Sequence, residues 1–375
     1  PNIEAFMSGG FSAIAESVVP SLTNPNNMSI VTGSPQSVHG ISGNYFLDPE
    51  TGAEVMMNEP EFLRSDSVLS EFSRHGAKVV AITAKDKLRR LLGKNLDMAK
   101  GNFCFSAEKA DVCTLEDNGI DDVLDLVGLP LPDVYSAELS LFVFEAAARI
   151  LERDRPDIMY LSTTDYVQHK YAPGTPEIDD FYGKMDTALG RLKAMGAVVA
   201  ITADHGMNDK SKPDGSPNVL FLQDELDGEF GERTTRVILP ITDPYVVHHG
   251  SLGGFVRVYC SDGTTTPAVM SFAGSLPGVE AVYDKASACA TFDLPVDREG
   301  DVVVISDAGT ALGASEAWHD LTALEGHRLR SHGGIAERRV PFILSAPLSR
   351  EYATRAESAP LRSYEMFDYV INGVL

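Results

Sequence analysis

The chain is poor in the features that would assign it to several large classes. It holds four cysteines in 375 residues, Cys104, Cys113, Cys260 and Cys289. No two form a C-x-x-C pair, so neither a zinc knuckle nor a disulfide framework is expected. Read as reduced thiols, they suit a cytoplasmic protein. No run of about 18 apolar residues occurs, so no hydrophobic membrane-spanning helix is expected. Basic residues are scarce: 31 Lys and Arg face 54 Asp and Glu, a formal charge of −23. Such a surface repels nucleic acid and anionic lipid at long range, and neither is expected as a partner. The G-x-x-x-x-G-K-[ST] loop, the G-x-G-x-x-G fingerprint and the G-x-S-x-G elbow are missing, which removes the motifs of P-loop, dinucleotide-binding and serine-hydrolase chemistry. An initiator Met is missing too. The sequence opens on Pro1-Asn2-Ile3 without a signal-peptide pattern and reads as helix from Asn2 to Ser8, so further residues are expected before it.

What is present is a globular composition, 43% hydrophobic, in a chain long enough for more than one folding unit. Three nearly unbroken apolar runs, Lys78–Thr83, Ile158–Thr163 and Ala197–Thr202, read as strands buried on both faces of a parallel sheet. Helical patterns at Asp66–His75, Ala137–Glu152 and Ile178–Met195 alternate with them. The alternation predicts an α/β fold with a doubly wound, mostly parallel sheet. From about Leu220 the texture changes, and Val256–Tyr259, Val279–Tyr283 and Val302–Ile305 read as strands of a mixed or antiparallel α+β unit. Val340–Leu344 then returns to the core pattern. The expected organisation is a core of residues 1–219 and 330–375 with a cap domain, 220–329, inserted into it.

In open α/β sheets, ligands bind at the carboxyl ends of the strands. The run ending at Thr163 continues into Thr164-Asp165, with His169 four residues on. The run ending at Thr202 continues into Ala203-Asp204-His205-Gly206. The run ending at Thr83 continues into Ala84-Lys85-Asp86-Lys87. If a helix begins after Asp165, Asp165 and His169 project from one face and chelate one ion. Carboxylate with imidazole suits Zn²⁺, and also Mn²⁺ or Fe²⁺. His332, in Ser331-His332-Gly333-Gly334, precedes another core strand, where glycines permit close backbone approach. These five ligands, Asp165, His169, Asp204, His205 and His332, exceed one tetrahedral zinc and fit two metals with open positions.

Thr23 lies in Ser21-Leu22-Thr23-Asn24-Pro25-Asn26-Asn27, with Asn24 a good N-cap and Pro25 suited to a first helical turn. Thr23 is therefore expected at a helix N-terminus, which binds phosphate and favours an alkoxide. The plainer alternative is a capping residue with no chemistry. His248-His249 falls in the cap and reads as packing or a cap-to-core contact in preference to a metal site. The lysines have a plain alternative as well, a solvated pair in the Lys/Arg-rich start of a helix.

These residues resemble the alkaline phosphatase superfamily, and within it the nucleotide pyrophosphatase/phosphodiesterase-like branch. The resemblance is carried by Thr23-Asn24-Pro25-Asn26, His39-Gly40-Ile41-Ser42-Gly43-Asn44, Asp165…His169, Asp204-His205-Gly206-Met207 and His332-Gly333, in the order of that branch. It implies one zinc held by Asp165, His169 and His332. It implies a second held by Asp204, His205, Thr23 and an Asp on a first strand, and a phosphoryl contact from Asn44. No acidic residue before Thr23 fits that Asp: Glu4 lies in the helix, and Glu16 lacks a preceding apolar strand and glycine turn. Either the sequence is part of a longer chain or the second site has three protein ligands.

A closer resemblance is to the phosphonoacetate-hydrolysing members. It rests on the segments 23–27, 83–89, 162–170 and 241–250, the last containing His248-His249. It implies nucleophilic attack by Thr23, a phosphothreonine intermediate, and Lys85 and Lys87 held against the carboxylate of a small anionic substrate, phosphonoacetate. A phosphodiesterase or nucleotide pyrophosphatase on the same site is the alternative activity, and a catalytically inert phosphate-binding protein the alternative class. The oligomeric state is open, with a homodimer as one option.

Overall fold

Val79-Val80-Ala81-Ile82-Thr83 is β-branched almost throughout, and it forms a strand whose five residues are all buried. Successive side chains of a strand point to opposite faces. Val80 and Ile82 accordingly enter a core with Phe142, Val143, Ala146 and Ile150. Val79 and Ala81 enter another with Met28, Ile30, Leu88 and Leu92. Each fully buried Val or Ile contributes about 1.5–3 kcal/mol. The structure, a computed structural model, describes residues 1–48, 50–241, 251–261, 266–324 and 326–375.

The Val79–Thr83 strand is central in a three-stranded sheet, parallel to Phe103–Ser106 on one side and Ile158–Ser162 on the other. A second three-stranded sheet runs Phe11–Glu16, Arg339–Leu344, Ala200–Thr202, and both of its pairings are antiparallel. The fold is thus mixed α/β with parallel elements. Helix Ala137–Asp154 buries Leu139, Phe142, Val143, Ala146, Ile150 and Leu151, a three-to-four spacing that faces one stripe inward. Helix Pro176–Ala194 starts with proline in its first turn and packs against it. Among the described residues, no helix is long and apolar enough to cross a membrane.

Two departures from expectation concern these sheets. Phe11–Glu16 is a strand, flanked by Gly10 and antiparallel to Arg339–Leu344; its short, weakly apolar text had hidden it. The edge strands Ile158–Ser162 and Ala200–Thr202 were expected buried on both faces, yet their apolar residues are only half-buried. The reason is local: both strands line one cavity of ≈ 990 Å³.

A four-stranded antiparallel sheet occupies the later part of the chain, in the order Thr235–Ile238, Phe255–Cys260, Val302–Ser306, Val279–Asp284. Its core takes in Leu22 and Val19, so the loop before Thr23 is clamped between this sheet and the rest of the molecule. The fully buried Arg257 adds a polar clamp. Its Nε donates to Glu299 at 2.6 Å and its Nη2 to the Ser42 carbonyl at 2.8 Å.

Candidate active site

Asp165 ends the segment after the Ile158–Ser162 strand and is the N-cap position of helix Tyr166–Lys170. His169 lies in that helix, one turn on, and its Nε2 is 2.9 Å from Asp165 Oδ2. His332 brings Nε2 to 3.4 Å from the same oxygen. Ligand atoms of these three residues lie within 4.8 Å of one another, a group that could hold a metal ion. His205 adds a third imidazole, with Nε2 3.6 Å from Asp204 Oδ2 and 3.8 Å from Asp165 Oδ2.

The outer nitrogen of each ring faces a backbone carbonyl. His169 Nδ1 lies 2.6 Å from the Arg330 oxygen, His332 Nδ1 2.7 Å from that of Ser21, and His205 Nδ1 2.9 Å from that of Gly206. A carbonyl only accepts, so each Nδ1 carries the proton and each Nε2 presents a lone pair inward. That is the tautomer a metal ligand needs. His205 Nε2 is buried and has no hydrogen-bond partner among the described residues. A buried polar atom without a partner is costly, and a cation beside it would remove that cost. The donor set therefore fits divalent metal.

The same groups act strongly on one another. Burial raises the Asp165 carboxyl, but the His169 and His332 imidazoles against it hold it well below the usual carboxylate range. Burial pushes the Asp204 carboxyl up. Burial lowers the His332 imidazole, with the His205 charge adding to it, to about 3. Burial also works to lower His205, but Asp204 and Asp165 outweigh it and raise that imidazole.

Thr23 opens helix Thr23–Thr32, which ends at Gly33 in the left-handed region, φ 61°. The expected capping arrangement is not what forms. Leu22 occupies the N-cap, and its own side chain makes no capping bond. Asn24 is buried inside the first turn, its Nδ2 donating to the Met57 carbonyl at 3.0 Å and Asn58 Oδ1 at 2.9 Å. Tertiary partners outcompeted the local cap. Asn44 Oδ1 accepts the Asn24 backbone N–H at 3.1 Å, which orients the amide beside Thr23. The turn before it is held by His39, whose Nδ1 accepts from Ile41 N–H and whose Nε2 meets Ser29 Oγ at 2.8 Å. At Gly43 a Cβ would stand 2.7 Å from Pro240 Cβ, so only glycine fits.

Lys85 is the residue before helix Asp86–Leu92. It is buried, with Nζ 5.5 Å from the Tyr135 ring centroid, which corrects the solvated-pair alternative for this lysine. Lys87 is half-buried. Arg89 turns instead to Asp86 and Arg90 to Glu59. Thr23, Asn44, Lys85, Lys87, Asp165, His169, Asp204, His205 and His332 all line one ≈ 990 Å³ cavity. Glu16 points elsewhere, pairing with Arg338 at 2.8 Å and Arg362 at 3.3 Å. His248 and His249, with the rest of 242–250, lie outside the described residues.

Sequence reasoning assigned nothing to Asn27. Its Nδ2 donates to the Thr23 carbonyl at 2.9 Å and Asp204 Oδ2 at 3.3 Å, while its Oδ1 accepts from Tyr160 and Ser162. Its only signal was its place beside Thr23.

Residues 1–334 match the family described as type I phosphodiesterase / nucleotide pyrophosphatase. The chain belongs to that family.

Among solved structures, phosphonoacetate hydrolase from Sinorhizobium meliloti 1021 in complex with phosphonoformate is 50% identical. That match covers 98% of this chain and 88% of the other with a TM-score of 0.93. The same enzyme in complex with phosphonoacetate gives 49%, the same coverages and 0.92. Human ectonucleotide pyrophosphatase/phosphodiesterase 5 shares the fold at 16% identity, 99% and 88% coverage and a TM-score of 0.64. An uncharacterised pyrophosphatase/phosphodiesterase of Schizosaccharomyces pombe is 26% identical over 207 residues, which is 55% of this chain. The matched part spans about a third of that family member, 36%.

Proposed function

We propose that this chain is a phosphonoacetate hydrolase, a metal-dependent enzyme that cleaves a carbon–phosphorus bond to give acetate and phosphate. The observation that carries the reading is the one cavity that gathers Thr23, the Asp/His cluster and the two lysines. The half identity to the Sinorhizobium meliloti enzyme supports it. Asp165, His169 and His332 would hold one Zn²⁺, and Asp204, His205 and Thr23 a second, with Mn²⁺ or Fe²⁺ as substitutes. When bound, such cations lower the pKa of a neighbouring hydroxyl and offset phosphoryl charge.

The chain's own residues do the rest. Thr23 attacks phosphorus from the helix N-terminus, whose N–H groups and dipole favour an anion. Asn44, fixed by its bond to Asn24, directs its amide to a phosphoryl oxygen. The C–P bond breaks and its electron pair passes to the CH₂COO⁻ fragment, delocalising onto the carboxylate before protonation gives acetate. Lys85 and Lys87 meet that growing charge, so they act in the transition state more than in binding. Water then releases phosphate from phosphothreonine. Residues 220–329 form the cap over a core of 1–219 and 330–375 in this reading.

A phosphodiesterase is the second reading, and the description of the Schizosaccharomyces pombe relative favours it. Turnover of phosphonoacetate against a nitrophenyl phosphodiester, each with and without chelator, separates the two. Chelator-sensitive turnover of phosphonoacetate is expected, and turnover of the diester alone would overturn the first reading.

A further inference from the structure

Glu337 is buried, 1% exposed, and lies just beyond the glycines that follow His332. Its Oε2 accepts the Gly334 N–H at 2.9 Å. Its Oε1 accepts from Asn208 Nδ2 at 2.7 Å and from Lys210 Nζ at 3.0 Å. Its backbone carbonyl accepts the Gly206 N–H at 2.6 Å. Gly206 follows His205, and Gly334 is two residues after His332. One residue thus ties together the loops that carry these two histidines. Contact is close enough that a Cβ on Gly206 would stand 3.0 Å from the Glu337 carbonyl oxygen.

Lys210 completes the device. It is 1% exposed and also donates to the Asp307 carbonyl at 3.1 Å. A buried ion pair adds little net stability over apolar residues of similar volume, while removing one partner strands the other charge. Stability alone therefore gives no reason for a carboxylate here. Its place between two ligand loops does, because residues that orient metal ligands set affinity.

We propose that Glu337 is a positioning residue of the metal centre, fixing His205 relative to His332 with Lys210 as its counter-charge. This rests on the reading that both histidines hold metal. Glu337 touches no substrate in this role. It holds the loops at the spacing the two ligand sets require.

The test is the Zn²⁺ dissociation constant of chelator-stripped protein, measured by competition with a chromophoric chelator, alongside its metal-free thermal midpoint. Glu337→Gln removes the charge and sets an amide N–H against donors. Zn²⁺ affinity should fall about tenfold to a hundredfold. Glu337→Gln/Lys210→Met removes both charges. It should recover the metal-free midpoint, while Zn²⁺ affinity stays low. Wild-type affinity in Glu337→Gln, or affinity that returns together with stability in the double variant, overturns the proposal. Asp165→Asn is the control, since wild-type Zn²⁺ affinity there would sink the metal reading itself.

Discussion

His169 Nε2 lies 2.9 Å from Asp165 Oδ2, one helical turn away on the same face. The contact joins a strand end to the first turn of a helix, so the geometry of the pair is set by backbone that the core holds rigid. His332 arrives from 163 residues further along the chain and meets the same oxygen. Replacing Asp165 by Asn leaves shape and volume while removing the charge that the three imidazoles face. Metal content of the purified variant should fall from two ions per chain toward one. Full occupancy by elemental analysis would count against this ligand set.

Thr23 can be separated from its neighbours because Leu22, and not Thr23, holds the N-cap position. Thr23→Ala should abolish phosphonoacetate turnover by orders of magnitude. The cost in stability should be about 1 kcal/mol or less, since no cap is lost. Rapid-quench trapping of phosphorylated protein should succeed with the wild type and fail with the variant. An active Thr23→Ala enzyme would require direct attack by water.

The lysines should discriminate substrates. A charge-assisted hydrogen bond to a carboxylate in a dry site contributes on the order of 1.5–3 kcal/mol. Lys85→Met or Lys87→Met should therefore lower kcat/KM for phosphonoacetate roughly tenfold to a hundredfold. An aryl phosphodiester has no carboxylate to hold, and its turnover should change little. Equal losses on both substrates would assign the lysines to folding or general phosphate attraction.

His39 should make folding sensitive to acid. Burial lowers its imidazole to about 3 from the ordinary 6.5, with Arg298 adding to the effect. The unfolded chain takes up this proton near pH 6.5 and the folded chain only near pH 3. The unfolded state therefore binds more protons across that window, and stability falls as pH falls through it, by about 1.4 kcal/mol per pH unit from this group. Urea midpoints measured between pH 7 and 4 should decline less steeply in His39→Gln than in the wild type. Parallel slopes would show that His39 does not carry the effect.

The clustering of Asp165 with Asp204 and His205 was legible because they stand where apolar runs stop, and strand ends deliver such positions to one cavity. The i, i+4 spacing of Asp165 and His169 carried its geometry openly, and the runs Val79–Thr83 and Val302–Ile305 announced strands by composition. Phe11–Glu16 did not, since its six residues alternate weakly and its partner strand lies more than 300 residues away. The cap role expected of Asn24 failed for a related reason: Met57 and Asn58, distant in sequence, hold its side chain. The carbonyls of Arg330, Ser21 and Gly206 that set the three imidazole tautomers have no sequence signature at all, because every residue has a carbonyl. Glu337 had none either, as its role exists only once two loops meet.

The central claim is that this cavity cleaves a carbon–phosphorus bond. Phosphorus NMR of phosphonoacetate incubated with zinc-loaded protein tests it most directly. The phosphonate resonance should be replaced by that of inorganic phosphate, with one acetate appearing per phosphate, and chelator or Thr23→Ala should stop the conversion. An unchanged phosphonate signal from a preparation that still hydrolyses a nitrophenyl phosphodiester would contradict the account.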